Sequence, residues 1–512
     1  MIHDLETDRY EARSHADVCI VGAGAAGIAL AVELKRLGRS VLLLEGGGRL
    51  VEERAQIPYV SEIGGLPYRG LQEGRVRALG GTTTKWGGQS MEFDPLNFET
   101  RPWISCSGWP FAKTELTPYY QRAIQVEGLE GALREDNLVW AALGMEQPQL
   151  APLCISLSRW CLEPNFALLH KSALEGDGIE VWLHANAVQL LLDGEQVRGV
   201  RCRTQGDVEA VFTAAEYCFC LGAIESSRFF LQPREGGLPW NSSGLLGMHF
   251  QDHVDCTAAT VKPLPGGAFH ANFDTVFLHG YKYNPKLTLD EATQRTEGLL
   301  QAGATFFSED SDVQGLTRLK GTAKKLLRGR FGEIDGAEAW ELLRNGPLLA
   351  RHGYRYAVKH RAYHARKAPM QMRVHCEQEP CGDSRITLSD VRDELGLLRT
   401  RIQWRLSDLE LRTIRCLVQV AQSALAGVAR VQAVEDLADP GLARRCEDSF
   451  HHMGGMRMGS TEHSGVVDPN LRLFGTANAY VCSSAVFPCS GFSNPTHTLL
   501  ALAMRLAERL AR

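Results

Sequence analysis

The sequence predicts an α/β chain, α+β overall, in which a parallel, doubly wound domain is interleaved with an antiparallel sheet. Three stretches carry that expectation. A strand–glycine turn–helix–strand unit begins at Asp17, alternating strands run between 370 and 405, and an amphipathic helix follows Asn494.

The bulk numbers set the frame. The chain has 512 residues, 44% hydrophobic and 22% charged, which is ordinary globular composition with room for two domains. A formal net charge of -5 gives no reason to expect nucleic acid as a partner. No uninterrupted apolar run reaches transmembrane length. The N-terminus, MIHDLETDRYEARSHADVC, is acidic and polar where a signal peptide needs a basic start and an apolar core. The 14 cysteines are scattered, without a C-x2-C pair, and the closest two, Cys218 and Cys220, share one face of a strand-like run. Buried reduced thiols in a cytoplasmic protein fit that pattern better than disulfides or zinc, so no metal site is expected.

The first element is the most informative. From Asp17 the chain reads DVCIVGAGAAGIALAVELKRLGRSVLLLEGG. Val18 to Val21 form an apolar strand, Gly22, Gly24 and Gly27 complete G-x-G-x-x-G, a helix runs to Leu37, and a strand from Ser40 to Leu44 ends at Glu45. The glycines serve different ends: Gly22 allows the tight turn, Gly24 the approach of a pyrophosphate, Gly27 close packing of helix on strand. Phosphates then lie at the helix N-terminus, and Glu45 accepts the ribose hydroxyls. An acid at that place selects an adenosine without a 2'-phosphate, so FAD or NAD.

Two further segments favour FAD. Residues 77–90, RALGGTTTKWGGQS, form a glycine–threonine loop able to offer backbone N–H groups to an anion or to lie against a flat ring, although read alone it is equally a surface turn. Residues 216–231, EYCFCLGAIESSRFFL, read as a buried strand, Gly222, then a helix, the third strand of a dinucleotide fold.

Toward the C-terminus, MQMRVHCEQEP alternates as a strand, and SRITLSDVRDELGLLRTRIQW reads as a hairpin around Asp393 to Gly396. SDLE at 407–410 opens a helix as a capping box, with Leu411, Ile414, Leu417, Ala421 and Ala424 on one side. Glu377 and Gln378 face either a pocket or solvent. Residues 265–369 match no motif and are expected as a variable helical insert; within them 319–330 and 354–367 are basic, read as solvated helix surfaces. In SNPTHTLLALAMRLAERL, Leu499, Leu502, Ala503, Leu506 and Leu510 share a face, Asn494 is placed as N-cap and Pro495 as first helical residue. Capping alone accounts for Asn494, yet a cap can also turn its amide to a ligand. The remaining puzzle is HHMGGMRMG at 451–459, adjacent imidazoles in a glycine-rich loop.

Taken in order, RALGGTTTKWGG, HHMGGMRMG, GVVDPNLRLFGTANAYVCSSAVFP and SNPTHT resemble the hallmarks of the glucose–methanol–choline (GMC) oxidoreductases, over about residues 16–255 and 370–512. The resemblance implies a Rossmann-like FAD-binding domain and a substrate domain whose antiparallel sheet roofs the flavin. It divides the chain into residues 12–255 (FAD domain, first part), 256–440 (substrate domain, insert about 265–369) and 441–512 (return to the FAD domain with the catalytic pair). It implies oxidation of an alcohol CH–OH to a carbonyl, hydride passing to flavin N5. Aligned on the glycines and Arg457–Met458, His451 is the general base and His452 a packing residue. Asn494 positions the substrate oxygen, which makes this a His–Asn member. The family pattern assigns cofactor contacts also to Gly80, Gly81, Thr82, Trp86, Gly87, Val188, Gly222, Ser483, Pro495 and Thr496. Ser483 stands where an acidic residue is common, and His497, one turn after Asn494, either lines the pocket or is a buried hydrogen-bonded residue. Lys85 stands where some members attach FAD through histidine, so FAD is expected to be non-covalent. The expected partners are a small-molecule alcohol and an electron acceptor, quinone-like ahead of oxygen. A lyase on the same scaffold, a non-catalytic FAD-binding protein and an NAD dehydrogenase are the rival readings.

Overall fold

The computed structural model describes residues 1–10, 16–308, 322, 335–362, 369–434, 437 and 440–512. The basic stretch 319–330 lies outside the described residues except for Thr322, as do 363–367 of the second basic stretch.

Four short apolar strands and two partners make a parallel sheet in the spatial order 2–4, 179–183, 41–44, 16–21, 214–219, 479–481. Strand Val41–Leu44 is buried at every position, as a parallel strand covered on both faces requires. Helix Ala25–Arg36 covers one face and packs against the C-terminal helix Pro495–Ala511. The apolar positions of that last helix are buried: Leu502, Ala503 and Leu506 expose 0–2% of their surface. The strand after the 204–208 turn closes a small antiparallel sheet of 186–193, 196–203 and 209–212 beside the parallel one.

The second layer is an antiparallel sheet of nine strands, ordered 429–433, 254–263, 370–376, 302–308, 281–289, 153–160 and 89–90, with 276–278 and 447–448 paired at its sides. Helix Asp408–Ala424 lies on it, opened by the anticipated capping box: Ser407 accepts from Leu409 N at 3.1 Å while Glu410 accepts from Ser407 N at 2.8 Å. The face carrying Leu411, Ile414, Leu417 and Ala421 is buried.

Several expectations are corrected here. Strands 89–90 and 153–160, assigned to the first FAD segment 12–255, belong to the roof sheet, and strand Ile2–Asp4 joins the parallel sheet ahead of the expected start at residue 12. The stretch 265–369 is a helical insert only in part: among its described residues are helices Ala268–Phe273, Glu291–Glu297, Gly336–Arg344 and Gly346–Ala357, but it also supplies the central strands Tyr281–Leu289 and Ala302–Ser308. The first hides its period-2 pattern because Asn284–Pro285 reads as a turn, whereas Pro285 sits within the strand opposite Leu157. The second is disguised by small residues; a Cβ at Gly303 would lie 2.6 Å from the Phe492 ring. The hairpin 385–392/398–404 forms as read but pairs with 62–65 in a sheet of its own. Glu377 faces neither pocket nor solvent. It is fully buried and bonds Arg101 through both oxygens at 2.8 and 2.5 Å. Gln378 is buried as well, accepting from Asp252 N at 2.8 Å and from Trp404 Nε1 at 3.0 Å. Among the described residues, no helix is long and apolar enough to cross a membrane.

Candidate active site

The glycine turn after Val21 is built as its residue types require. Gly22 has φ +104°, and a Cβ at Gly27 would stand 1.9 Å from the Gly22 carbonyl oxygen, so no larger residue fits where helix meets strand. A Cβ at Gly24 would meet nothing within 4 Å: that side is open. Helix Ala25–Arg36 begins there without a side-chain cap or an acidic first-turn residue, leaving its first N–H groups and positive dipole end to a ligand. Glu45, at the end of the next strand, accepts from Ala23 N and Gly47 N, each at 3.0 Å, and burial raises its carboxyl against those bonds.

A cavity of about 510 Å³ starts at this turn. Gly22, Gly24, Glu45, Gly81, Thr82, Trp86, Gly87, Gly222 and Ser483 line it, and at its other end stand His451, His452, Asn494, Pro495 and Thr496. Two helix N-termini therefore border one space, a chemistry that fits a dinucleotide with an anionic middle. Three predicted contacts do not line it. Gly27 serves helix packing; Gly80 (φ +99°) holds the loop turn against Asn165; Val188 sits at a β-bulge, and its neighbours Asn186 and Ala187 face the cavity instead. Ser483 is buried and bonds Ser226 Oγ at 3.2 Å. Lys85 is exposed at the cavity wall.

Sequence reasoning missed the arginine end of the cavity. Arg75 donates to Glu225 at 2.9 Å and lies 4.2 Å over the Tyr59 ring; Arg77 stands 3.9 Å from the same carboxylate. The R-V-R at 75–77, which leads into the glycine loop, was the available signal.

At the other end, Asn494 occupies the N-cap position of the last helix, but its side chain makes no capping bond. Its Nδ2 lies 3.1 Å from His451 Nε2 instead. His451 is held by its backbone: Asp252 Oδ1 accepts from His451 N at 2.9 Å, and the Tyr68 hydroxyl donates to Asp252 Oδ2 at 2.5 Å. Burial pushes the Asp252 carboxyl up to about 8, against the donors that favour its ionised form. Burial, then the nearby His375, drive His451 down to about 3, so its imidazole is neutral at neutral pH. The adjacent His452 also reaches the cavity, its ring beside Tyr68 and Phe250. His497 is a buried hydrogen-bonded residue, Nδ1 2.7 Å from Glu127. His253, His375 and Asp255, which the sequence did not single out, stand behind His451; only the pattern H-x-D at 253–255 opposite a strand histidine hinted at them.

Comparison with known proteins agrees with this layout. Residues 380–503 match the family model for GMC oxidoreductase, and residues 17–125 that for glucose inhibited division protein A. Paromamine 6'-oxidase of Streptomyces fradiae is 25% identical, covering 97% of this chain and 91% of its own. The fructose dehydrogenase large subunit of Gluconobacter japonicus is 20% identical with 97% of each chain covered. Pyridoxine 4-oxidase from Mesorbium loti shares the fold with a TM-score of 0.57 at 17% identity, covering 97% of this chain and 99% of that one. The formate oxidase of Aspergillus oryzae RIB40, a protein with FAD modification, shares it with a TM-score of 0.56 at 15% identity over 97% of this chain and 98% of that one. With an N-terminal dinucleotide fold, an antiparallel sheet and a C-terminal segment that returns to the same cavity, this chain resembles the GMC oxidoreductases, carrying their C-terminal domain over residues 380–503 together with an FAD-binding fold.

Proposed function

We propose that the protein oxidises a CH–OH group of a small-molecule alcohol to a carbonyl, with His451 as general base and Asn494 as the group that positions the substrate oxygen. One observation carries this reading: Asn494 leaves its cap unmade and turns its amide to His451 Nε2 at the cofactor cavity. Relatives named for alcohol substrates, paromamine 6'-oxidase and fructose dehydrogenase among them, support it.

The glycine turn, Glu45 and the 81–87 loop would hold FAD, which when bound would supply the two-electron acceptor for a hydride from the carbinol carbon. His451 Nε2 takes the hydroxyl proton, and the Asn494 N–H steadies the oxygen as charge builds on it. An imidazole with so depressed a basicity suffices because the hydroxyl grows strongly acidic as hydride departs. The N-terminus of helix Pro495–Ala511 adds a positive dipole end beside the pair. We further propose that FAD is dissociable, on the strength of Lys85, and that a quinone-like acceptor reoxidises it ahead of oxygen. The division of the chain into an FAD segment, a substrate segment and a C-terminal return belongs to the same proposal, with strands 89–90 and 153–160 reassigned to the roof.

The test is anaerobic mixing of the yellow holoenzyme with a panel containing paromamine, fructose, 2-methyl-1,2-propanediol and pyridoxine alongside simple alcohols. Bleaching with at least one compound and recovery on adding quinone or air support the proposal. No bleaching with full flavin occupancy contradicts it, and faster recovery with air than with quinone contradicts the acceptor order.

A further inference from the structure

Behind His451 lies a line of polar contacts that the reaction as drawn leaves unused. His451 Nδ1 is 2.9 Å from His253 Nδ1, which is 2.7 Å from His375 Nε2. His375 Nδ1 is 3.0 Å from Asp255 Oδ1 and 3.3 Å from Ser449 Oγ, and Arg373 donates to Asp255 Oδ2 at 2.8 Å. The sheet creates the alignment. Asp255 and His375 are direct partners on adjacent antiparallel strands, and His253 lies just before strand Val254–Pro263, two residues ahead of Asp255. The line runs from the buried base to Arg373, whose side chain is 45% exposed.

We propose that His253, His375 and Asp255 are positioning residues that hold one proton beyond three neutral imidazoles and so fix His451 with hydrogen on Nδ1 and the lone pair on Nε2. This rests on the reading of His451 as base. The hydrogens follow from the acceptors. The Ser490 carbonyl, 3.3 Å from His253 Nε2, can only accept, so that nitrogen carries hydrogen and His253 Nδ1 in the neutral ring is an acceptor. Asp255 likewise requires hydrogen on His375 Nδ1. Were His375 neutral, its Nε2 lone pair would oppose that of His253 across 2.7 Å. A hydrogen on His375 Nε2 removes the conflict, and the resulting cation rests against Asp255, which the adjacent charges of His375 and Arg373 hold well below the usual carboxylate range. His451 Nδ1, facing the same acceptor, must then be a donor. Its Nε2 is left with a lone pair, turned to the Asn494 amide.

A bound metal is the competing account of three converging ring nitrogens. Ligands about 2.0–2.1 Å from a tetrahedral zinc stand roughly 3.3 Å apart. The observed 2.9 and 2.7 Å are hydrogen-bond separations. A metal on His451 Nδ1 would also move the ring hydrogen to Nε2 and abolish the base.

The charged and titratable groups that act on His451 are His375 and Asp255 of the roof strands and Lys286 of strand Tyr281–Leu289, with Asp252, His253, His452 and Asn494 in contact or adjacent. His375 and Lys286 lower its proton affinity and Asp255 raises it. His375→Gln retains an N–H for His253 but removes the positive charge, so protonation of His451 becomes easier. In anaerobic stopped-flow measurements, the acid limb of the flavin-reduction profile should move up by about one pH unit or more from its wild-type position, with the added loss of rate confined to the acid side of the profile and FAD retained. His253→Phe should lose rate at every pH, because Nδ1 of His451 then has no acceptor. A uniform loss without displacement of the limb in His375→Gln overturns the proposal, as does stoichiometric zinc, copper or iron in the purified holoenzyme. Failure of the base assignment reads differently: His451→Ala would then reduce flavin at the wild-type rate, whatever the His375 variant does.

Discussion

Replacing Asn494 separates two roles that its position at a helix start would otherwise confound. An N-cap Asn that bonds the first turn contributes about 1 kcal/mol, and Ser or Asp at that position caps equally well. Asn494 makes no such bond, so Asn494→Ala should cost only a few tenths of a kcal/mol in stability. Its Nδ2 instead stands 3.1 Å from His451 Nε2, where an N–H can hold the oxygen that loses its proton. Removing one donor of this kind costs about 2.7–4 kcal/mol of transition-state stabilisation, a fall of roughly 10²–10³ in rate. Anaerobic stopped-flow reduction of the Ala, Ser and Asp variants, with FAD occupancy measured for each, distinguishes the roles. All three should be slow, since Ser is too short and Asp has no N–H to give when ionised. If Ser and Asp reduce flavin at the wild-type rate while Ala is impaired, the side chain is a cap and the reasoning is wrong.

Three further outcomes follow from buried groups and from the glycine loop. Arg101→Met strands the Glu377 carboxylate, which is 0% exposed, and should destabilise the protein by about 3–5 kcal/mol in denaturant unfolding; a loss below about 1 kcal/mol would show that the pair is not carrying buried charge. Glu45→Ala removes the acid at the end of the second strand and should weaken FAD binding about 10- to 150-fold on reconstitution of apoprotein, with unchanged affinity arguing against its ribose role. Acid precipitation should leave FAD in the supernatant because Lys85 occupies the loop position of the attachment histidine, whereas yellow colour on the pellet contradicts that expectation.

What the sequence made legible follows from how local each signal is. The glycine fingerprint, the capping box at 407–410 and the apolar face of the last helix are contained within single elements, and each appears where its residues place it. The roof sheet was less readable because its pairings are long-range: 153–160 joins 281–289 across more than a hundred residues, 89–90 joins 153–160 from the other side, and Asn284–Pro285 disguises the central strand as a turn. Likewise the pair at the cavity was indicated by HHMGGMRMG and SNPTHT, but of the histidines behind it one lies in strand Met370–Cys376 and the other just before strand Val254–Pro263, brought together by the pairing of those two strands. Glu377 misled for a related reason. Its partner Arg101 is 276 residues distant and no local pattern announces it.

The chemistry turns on which of two neighbouring imidazoles acts. Both line the cavity, but only His451 meets Asn494 and the histidine line, while His452 packs between Tyr68 and Phe250. Single-turnover flavin reduction by His451→Ala and His452→Ala, each confirmed to retain FAD, is the direct measurement. With His451 as base, His451→Ala loses roughly two to four decades of rate and His452→Ala far less. The reverse order, or wild-type reduction by His451→Ala, would contradict that assignment.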